Sequence, residues 1–267
     1  MRAAPRRAAT APRRNSVALM SLLACCWSCG APTGGAELGA CLDVTAPAGT
    51  RVLVFSRTAG YRHESIGAGV DAIRALGARH GFTVAHTESP AFFTPDSLSR
   101  FAAVIFLNTT GDVLDAAAQA ALEAHVRGGR GFGGIHSAAD TEYDWAWYGR
   151  LVGAYFRSHP RIQQATVHVA TADHLSTRCL PSTWTRTDEW YDFRAAPAPG
   201  VTLLASVDER TYEGGTMGTS HPLAWYHHFD GGRAWYTAMG HTTESYADSV
   251  FLQHLGGGIL WAAGVDR

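Results

Sequence analysis

Three histidines occupy segments of the kind that carries chemistry: His63 in residues 58–65, His136 in residues 134–140 and His241 in residues 240–244. An imidazole near neutral pH can carry a proton or hold a metal. Each segment follows an apolar run that reads as a strand, and ligands of open parallel sheets sit at the carboxyl ends of strands. The three side chains are therefore expected to share a pocket, against the plainer alternative that each serves its own loop. A fourth segment, Thr187-Asp188-Glu189-Trp190-Tyr191-Asp192-Phe193, puts carboxylates beside aromatics. That pairing suits acid–base work next to a sugar-stacking platform. Glu189 is taken as its working carboxylate, and Asp188 and Asp192 read as surface acids of a turn.

The catalytic set expected is thus His63, His136, Glu189 and His241. Three imidazoles and a carboxylate equally suit zinc, with His63, His136 and His241 as ligands. The His spacing of a zinc finger is absent, so such a site must assemble from distant loops. Tyr61, Arg62, Glu64, Asp140, Trp190 and His221 are the substrate-binding candidates. His221 precedes Pro222, which holds it extended at a strand start.

Gly134-Ile135-His136-Ser137-Ala138 has the outline of a nucleophile elbow, which normally reads G-x-S/C-x-G. Here His136 stands at the elbow. Neither Cys41 nor Cys179 is near it, so a Cys nucleophile is unsupported. Ser137 reads as a helix cap rather than a nucleophile.

The chain has 267 residues, 46% hydrophobic and 17% charged, with a formal net charge of -1. That supports one sizeable core and gives no basic excess for a nucleic-acid partner. All 22 basic residues are Arg, so Schiff-base lysine chemistry, a phosphate-loop lysine and a Ser-Lys dyad are excluded.

Five Arg precede the first acid, Glu37, and a short apolar run covers residues 17–24. This describes an export signal over residues 1–24, too short to span a bilayer as a helix. The alternative is an extension without a targeting role. Leu22-Leu23-Ala24-Cys25 resembles a bacterial lipobox, which would put a lipid on Cys25 and make that the membrane contact; Arg13-Arg14 resembles a weak twin-arginine signal. Localisation is then the bacterial cell envelope or periplasm. Residues 25–50, with Gly, Ala, Pro and Thr abundant from residue 30 on, read as a flexible linker. Cys26 and Cys29 form a C-x-x-C without a preceding strand, a weak redox signal. Cys41 and Cys179 could pair in an oxidising compartment.

From residue 51 the pattern alternates. Strands are expected at 51–56, 82–86, 103–107 and 131–135, and helices at 65–80 and 115–126. Further strands are expected near 166–170, 201–207, 223–229 and 233–239, with a hairpin turn at Asp230-Gly231 and a final helix over 245–263. The fold class is α/β, with a parallel sheet covered on both faces.

Gly60-Tyr61-Arg62-His63-Glu64-Ser65, Gly133-Gly134-Ile135-His136-Ser137, Asp188-Glu189-Trp190-Tyr191, His221-Pro222 and Gly240-His241 resemble, in order and spacing, the ThuA-like (trehalose utilisation) family over residues 51–264. The resemblance implies a fold like the class I glutamine amidotransferases: a flavodoxin-like three-layer sandwich with a mostly parallel central sheet, extra strands filling the second half. It also implies loss of the amidotransferase Cys, whose place His136 takes, so glutamine amidotransferase activity is not expected. It points to small-molecule carbohydrates, namely disaccharides and keto-sugars, and to a divalent metal in some members. Two functions follow: a carbohydrate-cleaving enzyme, hydrolase or lyase, acting by His/Glu or metal-assisted chemistry, or a non-catalytic sugar-binding lipoprotein using the same pocket.

Overall fold

A computed structural model describes residues 41–266. The export signal, Cys25, Cys26 and Cys29 lie outside the described residues. Among the described residues no helix is long and apolar enough to cross a membrane.

The first half builds strands β1 (Arg51–Phe55), β2 (Thr83–Thr87), β3 (Ala103–Leu107) and β4 (Gly131–Ile135), with helix α1 (Ile66–His80) between the first two. Short helix α2 (Pro95–Leu98) precedes β3, and α3 (Ala116–Arg127) leads into β4. Every residue of β3 and β4 is buried, as continuous apolar or glycine runs require when both faces are covered. Helix α1 ends at Gly81, whose φ of 78° is left-handed and lets its N–H reach the Gly77 carbonyl. Asp115 starts α3 by accepting from the Ala118 N–H.

The second half adds α4 (Ala146–Val152), β5 (Phe156–Ser158), β6 (Gln163–Val169), β7 (Thr183–Asp188), β8 (Asp192–Phe193), β9 (Thr202–Val207), β10 (Pro222–Phe229), β11 (Gly232–Thr237) and α5 (Ser249–Ala262). The final helix is shorter than its expected span; residues 243–247 form a separate 3-10 turn. The nine-stranded sheet runs β2-β1-β3-β4-β11-β10-β9-β6-β7. The first five strands pair in parallel, and the rest extend the sheet antiparallel. β5 and β8 form a separate two-stranded ribbon. The parallel part has the 2-1-3-4-5 order of flavodoxin-like folds, with β11 as its fifth strand.

Side-chain alternation assigns the layers. Gly131 faces α5 so closely that a Cβ would lie 1.8 Å from the Ala262 carbonyl oxygen. On the same face Leu107 meets Gly69 of α1. Phe106 and Phe132 point the opposite way, onto Tyr148 of α4. Fully burying each such side chain stabilises by about 1.5–3 kcal/mol.

The expected linker is not loose over its described part. Leu42 and Ala46 are buried, Ala46 N–H donates to the His80 carbonyl, and His80 Nδ1 lies 2.8 Å from the Val44 carbonyl. Cys41 and Cys179 form a disulfide with Cα atoms 5.6 Å apart.

Candidate functional site

The loop after β1 delivers His63, the turn after β4 delivers His136, and the loop after β11 delivers His241. All three meet at the carboxyl edge of the parallel sheet. Their rings pack edge to face: His63 lies 4.8 Å from His136 and 4.9 Å from His241, centroid to centroid. Glu189, just past the end of β7, completes the group. One ligand atom from each of the four lies within 4.8 Å of the others.

Backbone geometry aims these side chains. His136 has a φ of 50°, in the left-handed region that a non-glycine residue rarely adopts. Its carbonyl accepts from Tyr236 and its Nδ1–H donates to the Ala238 carbonyl at 2.7 Å. A proton is thereby fixed on Nδ1, and Nε2 faces the cluster. Nε2 lies 3.4 Å from Glu189 Oε2, both of them electron-pair donors. His241 Nδ1 is 3.1 Å from both. Two donors facing each other need a proton or cation between them. The Nδ1–carbonyl bond is also the support that metal-bound imidazoles ordinarily have.

Asp188 organises the far side. It is fully buried and accepts from the backbone N–H of Glu189, Gly240 and His241 at 3.0, 2.9 and 3.1 Å. It also pairs with buried Arg186 at 3.0 Å. One carboxylate thus ties the end of β7 to the loop after β11, setting Glu189 beside His241. Gly240 permits the sharp turn there, with a φ of 112° that an L side chain resists.

Burial, reinforced by His136 and His241, pushes the His63 imidazole down to about 3, so it stays neutral. Burial alone would raise Glu189, but hydrogen bonds and charge from His136 and His241 hold it well below the usual carboxylate range. Burial opposes charge on His241, yet the hydrogen bond and charge of Glu189, with Asp188, raise it overall.

A cavity of about 420 Å³ opens over the cluster. His63, Glu189 and His241 form its floor, and Tyr61, Asp140, Phe156, His159 and Tyr191 its walls. Tyr61 is 64% exposed, its ring 4.8 Å from that of His63. Tyr191 packs on His136 at 4.2 Å and on Phe156 at 4.2 Å.

Other sequence candidates lie elsewhere. Arg62 pairs with Glu88 at 2.7 Å outside the cavity. Glu64 is exposed and lines no part of it. Trp190 is fully buried, its indole N–H donating to the Gln163 carbonyl, so it is core rather than a stacking platform. His221 is buried behind the wall; Nε2 lies 2.8 Å from the Tyr191 carbonyl and Nδ1 2.8 Å from Glu209 Oε1. Asp192, Glu209 and His221 form a second compact group. Its carboxylates already accept from Thr216, Met217 and Gly218, so it fastens a loop. Asp188 and Asp192, read as surface acids, are buried at 0% and 2% exposure. Ser137 caps no helix; its hydroxyl lies 3.4 Å from His63 Nδ1.

Sequence reasoning missed His159. Its Nδ1 lies 3.0 Å from Glu189 Oε1 and 2.9 Å from the Pro160 carbonyl. No long strand precedes it, so no strand-end signal marks it.

The family model for ThuA, described as trehalose utilisation, matches residues 51–262. The chain belongs to the ThuA family. Among solved structures it is similar to a ThuA-like protein from Bacteroides uniformis, at 20% identity and a TM-score of 0.68, covering 82% of this chain and 94% of that one. A ThuA-like protein from Parabacteroides merdae is similar at 18% identity and a TM-score of 0.66, covering 80% and 90%. A β-galactosidase from Bacillus circulans sp. alkalophilus shares the fold over 83% of this chain and 32% of its own, at 16% identity and a TM-score of 0.53. At these identities the likeness is one of fold. No curated protein matches the chain. Within the ThuA fold, the elbow residue is His136, and among the described residues no Cys lies in the cavity lining.

Proposed function

We propose that this ThuA protein is an exported enzyme that cleaves a keto-glycoside at the His63–His136–Glu189–His241 centre. The carrying observation is the convergence of three imidazoles and a carboxylate, on four separate elements, beneath one cavity. The donor set fits a divalent cation such as zinc: His63 is held neutral, His136 aims Nε2 at the centre, and Glu189 is ionised. When bound, such a cation supplies Lewis acidity toward a carbonyl oxygen.

The protein's own groups provide the rest. A carbonyl at C3 of a sugar acidifies the C2 proton, whose removal lets the C1 substituent leave. His159 is the base in this reading. Its Nδ1 faces two acceptors, Glu189 Oε1 and the Pro160 carbonyl, so the proton belongs on Nδ1 and Nε2 is basic. Glu189 would then hold the centre with Oε2 and orient His159 with Oε1. Tyr61, Phe156 and Tyr191 give apolar faces for a pyranose ring, and Asp140 gives a polar contact. The Cys41–Cys179 disulfide supports export, since such bonds persist in oxidising compartments.

Turnover of a 3-keto-glycoside panel tests this reading, with His159→Gln as control. The wild type should release the C1 substituent and the variant should be about 10²–10⁴-fold slower. Binding of the same sugars without turnover would favour the non-catalytic sugar-binding alternative.

A further inference from the structure

Four neighbouring parallel strands, β1, β3, β4 and β11, end at the sheet edge where the centre lies. β1, β4 and β11 each lead to one of its histidines, whereas β3 leads to Asn108. Asn108 is fully buried, with a left-handed φ of 51° that Asn tolerates better than most residues.

Its polar groups reach all three histidine-bearing segments. The backbone N–H donates at 3.2 Å to the carbonyl of Ile135, the residue before His136. The side-chain nitrogen Nδ2 donates to Ser65 Oγ at 2.9 Å, two residues after His63. It also donates at 3.3 Å to the carbonyl of Gly240, the residue before His241. A carbonyl only accepts, so the amide must turn its nitrogen toward Gly240. Oδ1 is left buried without a hydrogen-bond partner among the described residues.

Ser65 is spent on the same junction. It stands at the N-cap of α1, where a serine hydroxyl ordinarily accepts from a first-turn N–H, yet it makes no such bond. It donates instead to the Gly240 carbonyl at 3.3 Å. The Tyr246 hydroxyl donates to that carbonyl too, at 3.1 Å, so one backbone oxygen collects three side-chain donors. The other end of the His63 loop is held from the same strand end. Thr110 Oγ1 donates to the Tyr61 carbonyl at 2.8 Å and accepts from the Gly60 N–H at 3.2 Å.

We infer that Asn108 is a positioning residue: its amide nitrogen locks the loops of His63 and His241 to each other, and its backbone holds both against the turn of His136.

A left-handed backbone and an unpartnered buried oxygen both disfavour an asparagine at this place. Glycine would relieve both, and what glycine would lack is the tie. The role complements that of Asp188, which sets Glu189 beside His241. That the resulting spacing serves a cation rests on the proposed function; the tie itself does not.

The tie is therefore read first without metal or substrate. Imidazole nitrogen-15 NMR of the purified full-length protein, with chelator present, compares the wild type with Asn108→Gly and Ser65→Ala. The first keeps the left-handed backbone and removes the amide; the second removes only a hydroxyl. Both should shift the ring-nitrogen resonances of His241, although Ser65 and Gly240 are 175 positions apart in the chain. Asn108→Gly should shift those of His63 as well. His227, whose Nε2 donates to the Leu151 carbonyl, should stay unmoved in both. Zinc titration is the second measurement. Asn108→Gly should weaken binding at least tenfold, the loss expected when outer support of a ligand set is removed. Asn108→Asp, which keeps the shape but puts an oxygen against the Gly240 carbonyl, should do no better. Unmoved His241 resonances in both NMR variants would overturn the inference. So would wild-type zinc affinity in Asn108→Gly beside a lowered thermal midpoint, the mark of a purely structural part. If the wild type itself takes up no zinc, the cation reading fails and the NMR comparison alone decides the tie.

Discussion

Replacing Asp188 with Ala should be among the most damaging single changes in the protein. The carboxylate is fully buried and receives the N–H groups of Glu189, Gly240 and His241, Ser245 Oγ at 3.3 Å, and Arg186. Arg186 is itself buried, stacked over Phe251 at 4.7 Å. Its remaining ionic neighbour, Asp248, is 3.6 Å away and partly exposed. Ala would strand a buried guanidinium and three backbone donors. Breaking a buried pair from one side costs about 3–5 kcal/mol, against a typical domain stability of about 5–15 kcal/mol. Equilibrium urea unfolding at pH 7, with chelator present, measures the loss. The double variant Asp188→Leu/Arg186→Met should recover part of it, because no fully buried charge is then left unpaired and Asp248 is partly exposed. A loss below about 1 kcal/mol for Asp188→Ala, or a double variant no better than the single, would refute this account of the site's scaffold.

Removing the disulfide by Cys41→Ser/Cys179→Ser should lower stability by about 2–4 kcal/mol, read from urea midpoints with and without reductant; an unchanged midpoint contradicts it. Acid should weaken the fold before the carboxylates titrate. Burial pushes His174 down to about 3, and His125 and His254 down to about 4, from an ordinary 6.5. With folded values depressed, the unfolded chain binds more protons, so stability is full above about pH 6.5 and falls as pH drops toward 4. Urea midpoints flat between pH 6.5 and 4.5 would argue against this. Gly131→Val should disrupt the packing of α5 on β4, since even a Cβ meets the Ala262 backbone. A thermal midpoint within a degree or two of wild type contradicts that contact.

The parallel half of the fold is legible because its strands are buried on both faces and read as unbroken apolar or glycine runs, as in Ala103–Leu107. Gly81 marked a helix end for a steric reason that sequence carries directly. β7 was hidden by its own chemistry. Its inward positions are Trp184, Arg186 and Asp188, so two charges occupy the places where alternation should be apolar. The same concealment made Asp188 look like a surface acid. His63, His136 and His241 were legible as a group because each follows a strand end on one sheet edge. His159 and Tyr191 join the cavity through a short ribbon and an irregular segment, where no periodicity marks them. Trp190 and Tyr191 are adjacent, and only the fold decides that one is core and the other cavity wall. The packing of Leu42 depends on long-range contacts that a Gly- and Pro-rich stretch does not advertise.

Zinc content and zinc affinity of the purified protein test the central claim most directly. After chelation and dialysis, calorimetric titration with zinc at pH 7 should show one ion per chain. His241→Ala and Glu189→Gln, checked for folding by circular dichroism, should each weaken binding at least tenfold, whereas Arg62→Ala, which pairs with Glu88 outside the cavity, should leave it unchanged. No binding by the wild type, or binding that survives both site variants, would contradict a metal centre built from His63, His136, Glu189 and His241.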